Sequence, residues 1–173
     1  PPGLAIVAFN KTALLAREQI ERVPAYYADI YNWIPIMNDP SKYFATPPVN
    51  MIYAYHEGMR MVLEEGLEKR YVRHEAYGKA VRAGLAEYGM KALADEEVAA
   101  STLSCILYPD GVDDATFRAE MAKKGVILAG SLAHLGGKAF RIGHMGNTTA
   151  EMLEKAVELI GETLNEMGYV VDQ

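Results

Sequence analysis

Gly136-Gly137-Lys138-Ala139-Phe140-Arg141-Ile142-Gly143-His144-Met145-Gly146 sets one arginine in a short apolar strand between paired and single glycines. Asn147-Thr148-Thr149-Ala150-Glu151 follows and reads as a helix start, with Thr148 and Glu151 at capping-box spacing. Side chains alternate faces along a strand, so Arg141 points away from the face that buries Phe140 and Ile142. A guanidinium fork matches a carboxylate or phosphate bidentately. Two readings stand at this point: a surface arginine on an edge strand, or an anion clamp. The flanking glycines, which let backbone or ligand approach closely, argue for the second.

Working outward, the elements around this strand alternate. Ser101–Tyr108 is rich in β-formers, Pro109-Asp110-Gly111 is a turn, and Asp113 or Asp114 starts a helix with Phe117 and Met121 inward, stopped at Gly125. Met90–Ala94 and Val126–Gly130 read as further strands, and Val170-Val171 as a last short one. The final helix carries Met152, Val157, Ile160, Leu164 and Met167 inward. The second half is a small α/β sandwich.

The first half is less regular. Leu4-Ala5-Ile6-Val7-Ala8-Phe9 is a continuous apolar run expected to be a buried strand. Asn10 caps a helix from Thr12 to about Val23, with Leu14, Leu15 and Ile20 inward and Pro24 ending it. Residues 25–48, with Tyr26, Tyr27, Tyr31, Trp33, Pro35 and Pro40, read as an irregular interface loop. Helical periodicity returns at Val49, with Met51, Tyr55, Met59 and Leu63 on one stripe. Gly66 interrupts, and a longer helix carries Leu67, Tyr71, His74, Val81, Leu85 and Tyr88 inward up to Gly89. The Gly66 junction is the expected domain boundary, giving 1–65 and 66–173.

Composition narrows the chemistry. The chain has 173 residues and a formal net charge of −6, and it carries no Lys/Arg block, which argues against a nucleic-acid binder. No apolar run reaches membrane-spanning length, and no secretory leader pattern opens the chain. The single Cys105 excludes an intrachain disulfide, fits a reducing, cytoplasmic compartment, and reads as a buried structural residue. His56, His74, His134 and His144 lie at no metal-ligand spacing, so no metal site is expected. His56 and His74 read as half-buried helix residues, and His144 has no assigned role. One further feature stands out: Tyr43-Phe44-Ala45-Thr46-Pro47-Pro48-Val49, ahead of a helix. Thr46 reads first as an ordinary N-cap with Pro47 at N1, and alternatively as half of an anion site with the Tyr43 hydroxyl.

Tyr43-x-x-Thr46-Pro47-Pro48-Val49, the helix after it, and Phe140–Gly146 together resemble the C-terminal half of class V aminotransferases, the alanine/serine–glyoxylate branch above all. Pro1-Pro2-Gly3-Leu4 is similar to the segment soon after that family's Schiff-base lysine. The resemblance covers the whole chain in order. It implies a fold-type I architecture, with the end of the large domain to residue 65 and the small domain after it. It also implies pyridoxal 5'-phosphate as cofactor and a homodimer in which Tyr43 and Thr46 bind the phosphate of the neighbouring subunit's cofactor. Arg141 takes the place of the arginine that holds the substrate α-carboxylate. The substrates implied are small amino acids (alanine, serine or aspartate) and the 2-oxo acids glyoxylate or pyruvate. The Schiff-base lysine has no counterpart here, since Lys11, Lys42 and Lys138 stand outside its motif. The expectation is therefore a C-terminal portion, inactive without the N-terminal half. A non-catalytic dimerisation or binding module on the same scaffold is the alternative.

Overall fold

The computed structural model describes residues 3–169, which divide into one unit up to Glu64 and a second from Glu65. The second unit holds the core. Strands β1 (Lys91–Ala92), β2 (Leu103–Leu107), β3 (Ala129–Gly130) and β4 (Ala139–Gly143) form an antiparallel sheet in the order β1-β2-β4-β3. Cross-strand partners share a face. Ser104↔Ile142 and Ile106↔Phe140 are buried on one face, whereas Leu103, Cys105 and Arg141 on the other keep partial exposure. Helices α4 (Leu67–Ala86), α5 (Asp114–Lys123) and α6 (Ala150–Glu166) supply much of the rest of the buried cluster, among it Val81 and Leu85, Phe117 and Met121, Ile160 and Leu164. Phe117, Phe140 and Tyr108 pack ring against ring at 5.2–5.8 Å between centroids.

Local sequence explains the ends of these helices. The Asp113 carboxylate accepts from the Thr116 N–H at 2.9 Å and opens α5. At the ends of α4 and α5, Gly89 (φ 70°) and Gly125 (φ 86°) take the left-handed conformation. Each lets the next N–H reach back five residues, Met90 to the Leu85 carbonyl and Val126 to that of Met121. The start of α6 differs from the expected capping box. Thr149, not Thr148, caps it, accepting from the Met152 N–H, while the Thr148 hydroxyl donates to the Met145 carbonyl. In the first turn Leu153 is buried in place of Met152, which is 62% exposed, while Ile160 and Leu164 point inward as expected. On α4, Leu67 and Tyr71 are exposed and the inward face is His74, Gly78, Val81 and Leu85. The strands of residues 90–94 and 126–130 shrink to two residues each, Val170-Val171 lie outside the described residues, and Cys105 is half-buried rather than buried.

The first unit contains α1 (Lys11–Glu18), α2 (Ile30–Asn38) and the body of α3 (Val49–Glu65). None of its described residues is fully buried. The run Leu4–Phe9 pairs with no strand among the described residues and stands open, Ile6 being 77% exposed. A strand needs a neighbour, and apolarity alone does not provide one. Helix α1 stops at Glu18, well short of Val23, and Leu15 and Ile20 remain exposed. Residues 25–48, expected to be irregular, include α2 despite Pro35 within it, its start fixed by the Asp29 carboxylate accepting from the Tyr31 N–H. Arg17 grips the same carboxylate at 2.8 and 2.7 Å, which pulls the Asp29 pKa below its ordinary value. Met51, Tyr55, Met59 and Leu63 form no buried stripe, and His56 is exposed.

Candidate functional site

Arg141 sits mid-strand on β4, carried to the sheet's open face by the alternation that buries Phe140 and Ile142. Cys105 of β2 and Ala129 of β3 flank it in register. Its Nε donates to the Gly130 carbonyl at 2.9 Å. Among the described residues it forms no ion pair, so the Nη edge of the fork remains available to an anionic ligand.

The turn after β4 is locked to its surroundings. His144 is fully buried, with Nδ1 3.1 Å from the Ser101 carbonyl and Nε2 3.0 Å from the Ser104 hydroxyl. A carbonyl can only accept, so Nδ1 carries the proton and Nε2 accepts from Ser104. Burial pushes the His144 pKa below its ordinary value. Arg82, which holds Glu96 at 2.7 and 2.6 Å, brings an Nη1 to 3.3 Å from the same Ser104 hydroxyl. Two residues on, the Gly146 N–H donates to His74 Nε2 at 3.2 Å, and its carbonyl accepts from Arg73 Nη2 at 3.0 Å. Arg73 is held in turn by Glu65. His144 is thus a peg holding the end of β4, with no face open to a ligand. Sequence reasoning left it without a role because its partners lie some forty residues away.

Tyr43 and Thr46 belong to the first unit. A cluster of rings behind them, Tyr26, Tyr27, Trp33 and Phe44, packs with centroids 4.9–5.9 Å apart. The Tyr26 hydroxyl donates to the Phe44 carbonyl at 2.7 Å and ties the segment down. Tyr43 is left 59% exposed beside it. Thr46 is not the N-cap the sequence suggested. Helix α3 begins at Val49, and the N–H groups of Met51 and Ile52 go to the Pro48 carbonyl. Neither hydroxyl has a hydrogen-bond partner among the described residues. Both are free to serve a ligand. No group of three or more His, Cys, Asp or Glu side chains among the described residues is placed to hold a metal ion. No helix among them is long and apolar enough to cross a membrane.

No protein-family model matches the chain. It is 33% identical over its full length to an uncharacterised aminotransferase of Methanocaldococcus jannaschii, covering 45% of that protein. It is 34% identical over 85% of its length to the serine–glyoxylate aminotransferase of Methylorubrum extorquens, covering 38% of it. A protein of Synechococcus named as the small subunit of a soluble hydrogenase is 32% identical over 98% of the chain, which covers 44% of it. Among solved structures, the ureidoglycine–glyoxylate aminotransferase of Bacillus subtilis superimposes on 93% of the chain with a TM-score of 0.83 and 28% identity. The match takes up 42% of that structure. The chain spans less than half the length of these relatives.

Proposed function

From the premise that this chain is related throughout to the C-terminal part of class V aminotransferases, we propose that it is the C-terminal portion of a pyridoxal-phosphate-dependent one. Residues 1–65 end its large domain and 66–173 form its small domain. The reaction moves an amino group from a small amino acid (alanine, serine or aspartate) to glyoxylate or pyruvate in the cytoplasm. The chain alone, without the lysine that anchors the cofactor, is inactive. The observation that carries this reading is Arg141: a half-buried arginine on an open sheet face, its fork unspent on any carboxylate of the described chain.

Two groups of residues have work in this reading. Tyr43 and Thr46 present unpaired hydroxyls beside the start of α3, a donor set suited to the cofactor phosphate of the neighbouring subunit. Pyridoxal phosphate, when bound, supplies the electron sink that the amino-acid side chains lack. Arg141 holds the α-carboxylate that donor and acceptor share, and so fixes the orientation of the bond to be broken. The apolar surface of the first unit suits a subunit contact.

The test uses the whole enzyme. Arg141→Ala removes a charge-assisted bidentate contact, and KM for both substrates rises about 10- to 100-fold while the cofactor's visible absorbance persists. Unchanged KM values would remove Arg141 from the site. Thr46→Ala weakens cofactor retention, and an unaltered cofactor dissociation constant would count against the phosphate assignment.

A further inference from the structure

The carbonyl that holds the Arg141 Nε belongs to Gly130, one residue on from its cross-strand partner Ala129. Among the described residues strand β3 is an edge strand, paired only with β4. Its register sets Ala129 opposite Arg141 and Gly130 opposite Phe140, and the Ser131 N–H donates to the Ala139 carbonyl at 3.2 Å. Bonded and non-bonded pairs alternate along an antiparallel ladder. Gly130 therefore takes a non-bonded place, with its carbonyl turned away from β4 toward the open edge. Arg141 reaches that carbonyl at 2.9 Å. Ala129 stands directly opposite Arg141 on the same face and sets only a methyl beside it. From the other face, the Arg118 guanidinium lies 3.3 Å from where a Cβ on Gly130 would stand. Arg118 is itself fixed by the Asp114 carboxylate at 3.0 and 2.7 Å.

We propose that Ala129 and Gly130 are positioning residues for the substrate carboxylate. Ala129 sets only a methyl beside Arg141, and the Gly130 carbonyl holds Nε. The guanidinium then offers a carboxylate only its Nη1/Nη2 edge, at a place set by the sheet margin. Arg118 beneath keeps Gly130 from shifting toward the helices. The inference rests on the reading of Arg141 as the carboxylate clamp, and it adds what aims the clamp.

In the whole enzyme, Ala129→Leu puts a branched side chain beside Arg141 at an exposed position where folding is insensitive. Its KM for amino donor and oxo-acid acceptor rises about tenfold, the worth of one charged hydrogen bond, while saturating kcat and cofactor absorbance stay at wild-type values. Ala129→Ser, still small, retains the wild-type KM. Gly130→Val, pressing on Arg118 from the opposite face, reproduces the KM effect. Where Gly130→Val fails to fold, Ala129→Leu decides alone. Wild-type KM values in Ala129→Leu, alongside raised values in Arg141→Ala, overturn the positioning role and leave the clamp intact. Unchanged KM in Arg141→Ala overturns both.

Discussion

His144 and Arg141 sit three residues apart and do opposite things. The histidine spends both ring nitrogens inside the protein, on the Ser101 carbonyl and the Ser104 hydroxyl. The arginine spends only Nε there. The buried ring has a consequence in pH. Its folded pKa is depressed by desolvation, so between the unfolded value of about 6.5 and the lower folded value the unfolded chain binds more protons. Stability therefore falls as pH drops through that window and is fully present above it. The melting temperature of the protein should decline as the pH falls below about 6.5. His144→Gln, which cannot take up the proton, should show a shallower decline over the same range. Parallel slopes in the two proteins would show that His144 does not drive the loss. Arg17 and Arg118 hold the Asp29 and Asp114 carboxyls below the usual carboxylate range. At this scale Arg141 was legible in the sequence, since a lone cation between two apolar strand residues announces itself. The peg was not, because Ser101, Ser104 and Gly78 reach the His144 ring only through the fold.

The elements show where local chemistry suffices and where it does not. Helix α5 was readable from Asp113 to Gly125 because a cap side chain and a left-handed glycine act within five residues. Strands β2 and β4 were readable from their apolar runs, but the two-residue β3 was not bounded, since its length is set by its register with β4. The same limit hid Gly130 as the partner of Arg141. The Leu4–Phe9 run failed for a related reason: its pattern is that of a strand, and no described neighbour pairs with it. Helix α2 lies hidden in the proline-rich segment 25–48, although its cap, Asp29, is local. Against α6, glycines matter more than propensity. A Cβ on Gly161 would stand 2.2 Å from the Tyr88 ring, and one on Gly84 2.9 Å from Val157. Gly161→Ala gains about 1 kcal/mol of helix propensity yet forces the ring out of place, an overpacking that costs about 1–3 kcal/mol. The net result should be a lower denaturation midpoint with an unchanged m-value. A variant as stable as wild type would mean that Tyr88 yields freely.

The two units differ in what they bury. The second has a closed apolar cluster, from Val81 and Leu85 through Phe117 and Phe140 to Ile160 and Leu164, and enough of it to fold on its own account. The first has none of its described residues fully buried, and it shows Ile6, Val7, Tyr53, Leu63 and Met37 to solvent. Its order rests on local devices: the Arg17–Asp29 pair, the ring cluster around Phe44 and the caps of its helices. Devices of that kind hold a segment's shape without closing a core, and so much apolar surface seeks a cover. Two consequences follow for the 173-residue chain prepared by itself. It should self-associate in sedimentation, whereas residues 65–173 alone should run as a monomer. Limited proteolysis should cut first within residues 1–64 and leave a fragment beginning near Glu65 that unfolds in one cooperative transition, because exposed, sparsely packed backbone opens before a closed core does. A clean monomer of the whole chain, or early cleavage inside α4 or α6, would mean that the first unit is stabler than its exposed surface indicates.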